Sequence, residues 1–164
     1  KLRPSQRFCS IECQRHGRYR RGKPCNILTD VQASYLAGLV DSEGSITLWK
    51  TFEGYRIRVT ISNTHRGVLE WVQQTTEVGG IYEHRVQSIK HSRRYDWQVN
   101  AESAYYFLRY VQPYLFIKKP QSDLALWFHS RLLNPSLKAK RLWQVKAKER
   151  MKNLNQRGPQ GILN

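Results

Sequence analysis

The segment 36–44 restricts the fold of this chain more than any other, because a helical run of small and apolar residues passes directly into two carboxylates and a glycine. The unpaired carbonyls of a last helical turn and the negative end of the helix dipole both attract a cation. Glu43 adds a full negative charge at this place. The segment therefore predicts a metal site at the end of a helix.

The helix that carries this segment can be delimited from its ends. Thr29 and Gln32 have the spacing of a capping box, and Gly44 would allow a left-handed exit, so the sequence predicts a helix over 30–40. Its predicted apolar stripe consists of Val31, Tyr35, Leu36 and Leu39.

Two pairs of small residues one turn apart, Ala33 with Ala37 and Ser34 with Gly38, lie on the predicted helix. Such pairs allow another helix to approach closely. We expect the partner to be the same helix of a second copy, because that contact would bring two Glu43 carboxylates together. Paired metal-binding carboxylates suit phosphodiester chemistry.

The positive charge is concentrated at the two ends of the chain. The net charge is +16, and residues 1–28 and 138–157 each hold eight Lys or Arg against one Glu, which leaves +2 for the rest. This distribution predicts a polyanionic partner, most simply a nucleic acid. Ribosomal proteins share the profile, so charge alone does not indicate an enzyme.

Hydrophobic periodicity predicts an α+β fold. Alternation predicts two strands joined by a turn near 53–54 and two more at 81–87 and 94–100. Helical patterns fall at 66–77, 102–111, from 120 onward, and beyond 135, where the pattern is amphipathic and basic. The chain accordingly divides into a basic Cys-containing arm (1–28), a core (29–132) and a basic C-terminal helix and tail (133–164).

Residues 36–44 closely resemble the LAGLIDADG signature of the homing endonucleases, with Val40, Ser42 and Glu43 as the departures. The predicted element order agrees with this resemblance. It implies the LAGLIDADG homing endonuclease fold, αββαββα with a four-stranded antiparallel saddle-shaped sheet. It also implies a metal-dependent DNA endonuclease.

The resemblance implies roles for several residues. Glu43 would be the essential metal ligand and the Ser42 carbonyl a second one, while Asp41, a third candidate ligand, is expected rather to shape the turn. Asn63 would help to order the attacking water. Lys118, or its neighbour Lys119, would stabilise charge near the scissile phosphate, and Arg66 is the nearest match to a family arginine.

DNA would be read by the exposed sheet face and gripped by basic segments around it. The candidates on the sheet are Thr47, Trp49, Arg56, Arg58, Thr60, Asp96, Gln98 and Asn100; those in the basic loop are Arg85, Lys90, Arg93 and Arg94; those near the C-terminus are Lys138, Lys140 and Arg141. The resemblance implies a homodimer, formed through helix 30–40, that cuts a long near-palindromic duplex with 3' overhangs and promotes intron mobility, using Mg2+ or Mn2+. An RNA maturase that binds intron RNA, or a non-catalytic DNA-binding regulator, would share this fold.

A second metal site is suggested by the N-terminal arm. Cys9, Cys13, His16 and Cys25 could supply four ligands to Zn2+, although their spacing is irregular and unpaired thiols are an equally good interpretation. The odd cysteine count argues against disulfides. With no apolar run of membrane-spanning length and no signal-like start, we expect an intracellular protein of a prokaryote or an organelle, neither secreted nor membrane-bound.

Overall fold

The computed structural model describes residues 22–84, 93–133 and 141–156 of the chain. Within these ranges the elements are α1 (Asp30–Glu43), β1 (Gly44–Thr51), β2 (Gly54–Asn63), α2 (Arg66–Thr76), β3 (Gly80–Glu83), β4 (Tyr95–Asn100), α3 (Ala101–Val111), α4 (Lys119–Leu132) and α5 (Arg141–Leu154). A short 3-10 turn, Gln112–Tyr114, links α3 to the segment before α4. The predicted α+β class and the order αββαββα are confirmed.

The four strands form one antiparallel sheet in the order β1-β2-β4-β3. Gly44 lies opposite Ile61, and Asn63 lies opposite Tyr95. The start of β1, the end of β2 and the start of β4 therefore meet at one end of the sheet. Since α1 runs without a loop into β1, its carboxyl end lies there too.

One face of the sheet is covered by the helices and forms the core. Alternate strand residues are buried on this face: Ile46, Leu48, Ile57, Val59, Ile61, Trp97 and Val99. Trp97 also donates from Nε1 to the Val78 carbonyl oxygen at 3.0 Å, which satisfies its buried N–H. The residues between them on the strands form the opposite, polar face.

Helix α1 begins as predicted but ends later. The Gln32 amide donates to Thr29 Oγ1 at 3.3 Å and the Thr29 amide donates to Gln32 Oε1 at 3.0 Å, which confirms the capping box. The helix continues beyond Val40 to Glu43. Both carboxylates of the segment therefore belong to its final turn instead of following it.

The predicted apolar stripe of α1 was partly wrong. Val31 is 80% exposed and Tyr35 is 52% exposed, whereas Leu36 is fully buried. The inward face is completed by small residues, Ala33 and Ala37, together with Val40. Small side chains allow α1 to lie close to its own sheet, so only the Ser34 and Gly38 pair remains exposed.

The predicted left-handed exit at Gly44 was also wrong. Gly44 has φ −92° and ψ 170°, an extended conformation that any residue can adopt. A Cβ at this position would lie 2.6 Å from the Val40 carbonyl oxygen and 2.7 Å from its Cα. Glycine is needed because strand and helix backbones pass too close for a side chain.

Helix α5 is fixed to the sheet by polar contacts as well as by its apolar stripe. Ala147 and Met151 are buried. Gln144 Oε1 accepts from the Tyr55 amide at 3.1 Å, and Asn155 donates from Nδ2 to the Ile46 carbonyl oxygen at 2.9 Å. In the described part of the chain, every helix is too short or too polar to cross a membrane.

Candidate active site and nucleic-acid interface

An open cleft of about 940 Å³ lies where α1 meets the sheet. Glu43, Ser42, Asn63 and Lys118, which the sequence placed on three separate segments, all line it. Arg94, which immediately precedes β4, lines it as well. The convergence follows from the fold, because α1, β2 and β4 all have an end at this place.

Glu43 presents its side chain to solvent at the mouth of this cleft. Among the described residues, no hydrogen bond or ion pair engages its carboxylate. Nearby groups are satisfied within the chain: the Val40 carbonyl accepts from the Gly44 amide, and the Ser42 hydroxyl donates to the Gly38 carbonyl at 2.9 Å. Both Glu43 oxygens are therefore available to a cation.

Asp41 is engaged inside the chain. Its carboxylate accepts from the amides of Phe116, Ile117 and Lys118 at 2.8, 3.2 and 2.8 Å. The three donors are consecutive backbone amides, so the side chain holds the segment before α4 against the end of α1. This arrangement agrees with the expectation that Asp41 shapes the turn and counts against it as a metal ligand.

Lys118 and Asn63 also have contacts within the chain. The Lys118 ammonium donates to the backbone carbonyl oxygen of Asp41, which places a cation beside the last turn of α1. Asn63 accepts from the His65 amide through Oδ1 at 2.8 Å, so its amide NH2 group is the part left for the cleft.

Arg94 belongs to a hydrogen-bonded cluster beside Asn63. Its Nη2 donates to Ser62 Oγ at 3.1 Å, and its Nε lies 3.4 Å from Asp96 Oδ1. Asp96 also accepts from Ser62 Oγ at 2.7 Å and pairs with His84 Nε2 at 2.7 Å. Burial alone would raise the pKa of Asp96, but the hydrogen bonds from Ser62 and His84 and the charges of His84 and Arg94 outweigh it and lower that pKa.

This cluster corrects the role predicted for Asp96. The side chain was expected to be an exposed acceptor for base edges, but Asp96 is only 5% exposed. Its two oxygens are shared among Ser62, His84 and Arg94. Asp96 therefore orders neighbouring donors, of which Arg94 and His84 are more exposed than it is.

Arg66 is not brought into the cleft. Its guanidinium pairs with Glu70 at 2.7 Å along α2, and the hydrogen bond and charge of Glu70 raise its pKa. It also lies 5.8 Å from the ring of Tyr95. The structure thus gives Arg66 a partner on its own helix, away from Glu43.

The polar face of the sheet carries the other residues that were predicted to contact base edges, and they lie in rows across the strands. Strand register aligns Thr47 with Arg58 and Asn100 in one row. In the next row, nearer the cleft, Thr60 faces Gln98. These side chains are half-exposed and offer donors, acceptors and methyl groups of the kinds that base edges need.

The two arginines of this face are held by neighbours. Arg58 donates from Nε to Asn100 Oδ1 at 2.8 Å, and its guanidinium lies 4.0 Å above the ring of Trp49. Arg56 pairs with Glu53 at 2.9 Å. A duplex on this surface would therefore meet side chains that are already oriented.

Other predicted residues fall at or beyond the limits of the described ranges. Cys9, Cys13, His16, Arg85, Lys90, Lys138 and Lys140 lie outside them, and only the backbone of Arg141 is described. Arg93 pairs with Glu83 at 3.5 Å. Lys119 begins α4 and is exposed.

The zinc hypothesis gains no support from Cys25. Burial, and secondarily the charge of Glu77, raise the pKa of this thiol to about 12, whereas zinc binds the thiolate. The described residues contain no group of three or more His, Cys, Asp or Glu side chains arranged to hold a metal. With three of the four proposed ligands outside the described ranges, the zinc site stays a prediction.

Solved structures with this fold include several DNA complexes. The homing endonuclease I-CvuI in complex with its target is 21% identical, with a TM-score of 0.65, over 82% of this chain and 88% of that one. The archaeal intron-encoded homing endonuclease I-Vdi141I, complexed with DNA, is 21% identical, with a TM-score of 0.62, over 79% of this chain and 87% of that one. The LAGLIDADG meganuclease I-AabMI, bound to uncleaved DNA, is 17% identical, with a TM-score of 0.57, over 74% of this chain and 43% of that one.

Sequence comparison assigns the family. No curated protein matches the chain significantly. The model of the LAGLIDADG-like domain matches residues 30–112, which are 83 of the 164 residues and run from α1 to the end of α3. The match includes the signature segment, both strand pairs and the cleft-lining ends of β2 and β4. The chain therefore belongs to the LAGLIDADG-like family.

Proposed function

We propose that this protein is a metal-dependent DNA endonuclease that makes a double-strand break with 3' overhangs in a long, nearly palindromic target. The observation that carries the proposal is the position of Glu43, whose unengaged carboxylate lies in one cleft with Lys118 and Arg94. The polar face of the sheet continues from this cleft. A phosphodiester could be held among these charges while the bases beside it are read.

The residues of the cleft fit a divalent cation with oxygen ligands. Glu43 and the backbone carbonyl of Ser42 would hold Mg2+ or Mn2+, which prefer carboxylate, carbonyl and phosphate oxygens. One chain offers one unengaged carboxylate here, so a second copy of Glu43, the DNA and water would complete the coordination. When bound, the ion would polarise a phosphoryl oxygen and make water more acidic. I-CvuI has been crystallised with its own target in the presence of Ca, and with the I-CreI target in the presence of Mg, where the DNA was not cleaved.

The second copy would pack on the exposed face of α1. Ser34 and Gly38 form a small-residue stripe there, flanked by the exposed Val31 and Tyr35. A Cβ at Gly38 would meet nothing within 4 Å in the single chain, so the fold itself does not require a glycine at this position. Close approach of a second α1 would explain the glycine at position 38 and would bring two copies of Glu43 side by side.

The chain's own residues would contribute to the reaction in distinct ways. The Asn63 NH2 group would donate a hydrogen bond to orient the attacking water, since its Oδ1 accepts from the His65 amide. Lys118, whose ammonium group donates to the last turn of α1, would stabilise negative charge that develops on the phosphate. The sheet residues and the net charge, twice +16 for a dimer, would bind the duplex.

The proposal is tested by cleavage of a randomised or genomic duplex library with Mg2+, followed by sequencing of the ends. We expect breaks at one nearly palindromic site with 3' overhangs, lost when Glu43→Gln removes the charge. Glu70→Gln is a matched control, because Glu70 is an exposed carboxylate on α2 outside the cleft. Binding of DNA or RNA without cleavage by either protein would contradict an endonuclease and favour a regulator or a maturase.

If cleavage is found, the biological role that we propose is intron mobility. A break in an allele that lacks the intron would allow repair to copy the element into it. A target that spans the insertion point of a mobile intron would support this role. A target that the host intron does not interrupt would contradict it.

A further inference from the structure

We propose that Arg94 is a catalytic residue that donates hydrogen bonds to the scissile phosphate as negative charge develops on it. This inference rests on the proposed endonuclease function and adds a second cation to the site beside Lys118. Sequence alone placed Arg94 in a basic loop with Arg93, as one of several residues that could grip DNA. The fold separates these two neighbours.

Strand register brings Arg94 to the cleft. It immediately precedes β4, whose first residue, Tyr95, lies opposite Asn63 at the end of β2. Arg94 therefore reaches the end of the sheet where α1 delivers Glu43. The side chains of both line the same cleft, together with Lys118.

The guanidinium is oriented by groups behind it. Asp96 faces its Nε at 3.4 Å, and Ser62 accepts from Nη2 at 3.1 Å. Asp96 is itself fixed by Ser62 and His84, at 2.7 Å each. A guanidinium has five N–H donors, so the contacts with Asp96 and Ser62 leave three for a substrate.

This geometry suits a phosphate. A planar fork of N–H donors matches two phosphoryl oxygens, and its charge persists at every accessible pH. Because the donors are already held in place, little reorganisation accompanies the growth of charge in the transition state. Asp96 does not reach the phosphate in this account and is a positioning residue.

The neighbouring Arg93 provides a matched control. Its side chain is 70% exposed, pairs with Glu83 at 3.5 Å, and does not line the cleft. Arg93 and Arg94 are adjacent in the chain, and replacing either of them by alanine removes one positive charge. Loss of general attraction for DNA should therefore be similar, and only loss of contact with the phosphate should differ.

The test measures single-turnover cleavage with saturating protein and the target identified above, and DNA binding separately without divalent metal. We expect Arg94→Ala to lower the cleavage rate about 10²-fold, the usual effect of removing one donor to a developing oxyanion. Arg93→Ala should lower that rate far less than Arg94→Ala does, and Kd should rise similarly in both. Arg94→Lys should recover part of the rate, and added guanidinium ion should partly restore Arg94→Ala.

Equal cleavage rates for Arg94→Ala and Arg93→Ala would overturn the inference. Failure of the proposed function itself has a different signature, in which the original chain does not cut or Glu43→Gln cuts equally well. Arg94 is exposed, and Asp96 keeps Ser62 and His84 as partners without it, so the variant should fold. Should Arg94→Ala unfold, Arg94→Lys and Arg94→Gln decide the matter, and full rates in both would also overturn the inference.

Discussion

Replacing Asp41 by alanine should destabilise the chain and slow cleavage through the same contacts. The carboxylate accepts from three backbone amides, those of Phe116, Ile117 and Lys118. A hydrogen bond to a charged group contributes about 1.5–3 kcal/mol when it is protected from water. Phe116 and Ile117 are exposed, so water can replace the carboxylate as partner of their amides and the two hydrogen bonds contribute little. Lys118 is half-buried, so the hydrogen bond from its amide contributes nearly in full. We therefore expect the free energy of unfolding to fall by about 2–3 kcal/mol, from one nearly full contribution and two small ones.

The measurement is urea unfolding of Asp41→Ala beside Asp123→Ala. Asp123 accepts a single hydrogen bond, from Gln112 at 2.7 Å on the surface, so its loss should cost under about 1 kcal/mol. Asp41→Asn should lose less stability than the alanine variant, because its one amide oxygen still accepts at one side while its NH2 group faces N–H donors at the other. Equal unfolding midpoints for Asp41→Ala and Asp123→Ala would refute the reasoning. Cleavage by Asp41→Ala should also be slower, since the backbone amide of Lys118 would lose the carboxylate that holds it beside α1.

Three other predictions concern single positions. Gly38→Ala should raise the free energy of unfolding of the single chain by up to about 1 kcal/mol, because alanine has the higher helix propensity, and urea unfolding would show this. The same substitution should weaken the dimer, which sedimentation velocity would show. A dimer of unchanged affinity would contradict the proposed interface. Gly44→Ala should lower the free energy of unfolding by about 2 kcal/mol because its Cβ would lie 2.6 Å from the Val40 carbonyl oxygen, and an unchanged free energy of unfolding would contradict this. The lowered pKa of Asp96 means that its contribution is complete above its ordinary value of 3.8 and is lost as the pH falls through the folded-state value, so the stability deficit of Asp96→Asn in urea should shrink as the pH falls below about 4.

The sequence predicted the elements well because each has a clear local signal. The alternation of Ile57, Val59 and Ile61 indicated a strand with one buried face, and Thr29 with Gln32 indicated a helix start. Such signals depend on neighbours within a few residues. They survive folding because the tertiary contacts agree with them.

The sequence-based predictions of burial were wrong where the same type of side chain suits both the core and the surface. Val31 and Tyr35 belong to the predicted apolar stripe yet are exposed, because the short side chains of Ala33 and Ala37 fit the narrow space above the sheet. Asp96 alternates with Trp97 as an outward residue should, yet the Arg94 guanidinium, the His84 imidazole and the Ser62 hydroxyl cover it. Periodicity identifies a face and does not reveal what lies against it.

The candidate site was predicted in part for a similar reason. The signature segment identified Glu43, and the stretch ending at Lys118 was found by resemblance. Arg94 carried no local signal that distinguished it from Arg93. Only the pairing of β4 with β2 shows which of the two reaches the cleft.

The row that joins Thr47, Arg58 and Asn100 across three strands has a consequence for how target preference can change. Arg58 is held between the Trp49 ring and the Asn100 amide, so replacing any one of these side chains alters the orientation of the others. If this face reads DNA as proposed, a single substitution would therefore degrade recognition of the old target before it creates a new one. Retargeting of such a surface, in evolution or in the laboratory, should therefore replace contacting side chains together, and Trp49 shows that such a set extends beyond one row, because Trp49 lies opposite Arg56 in the strand register.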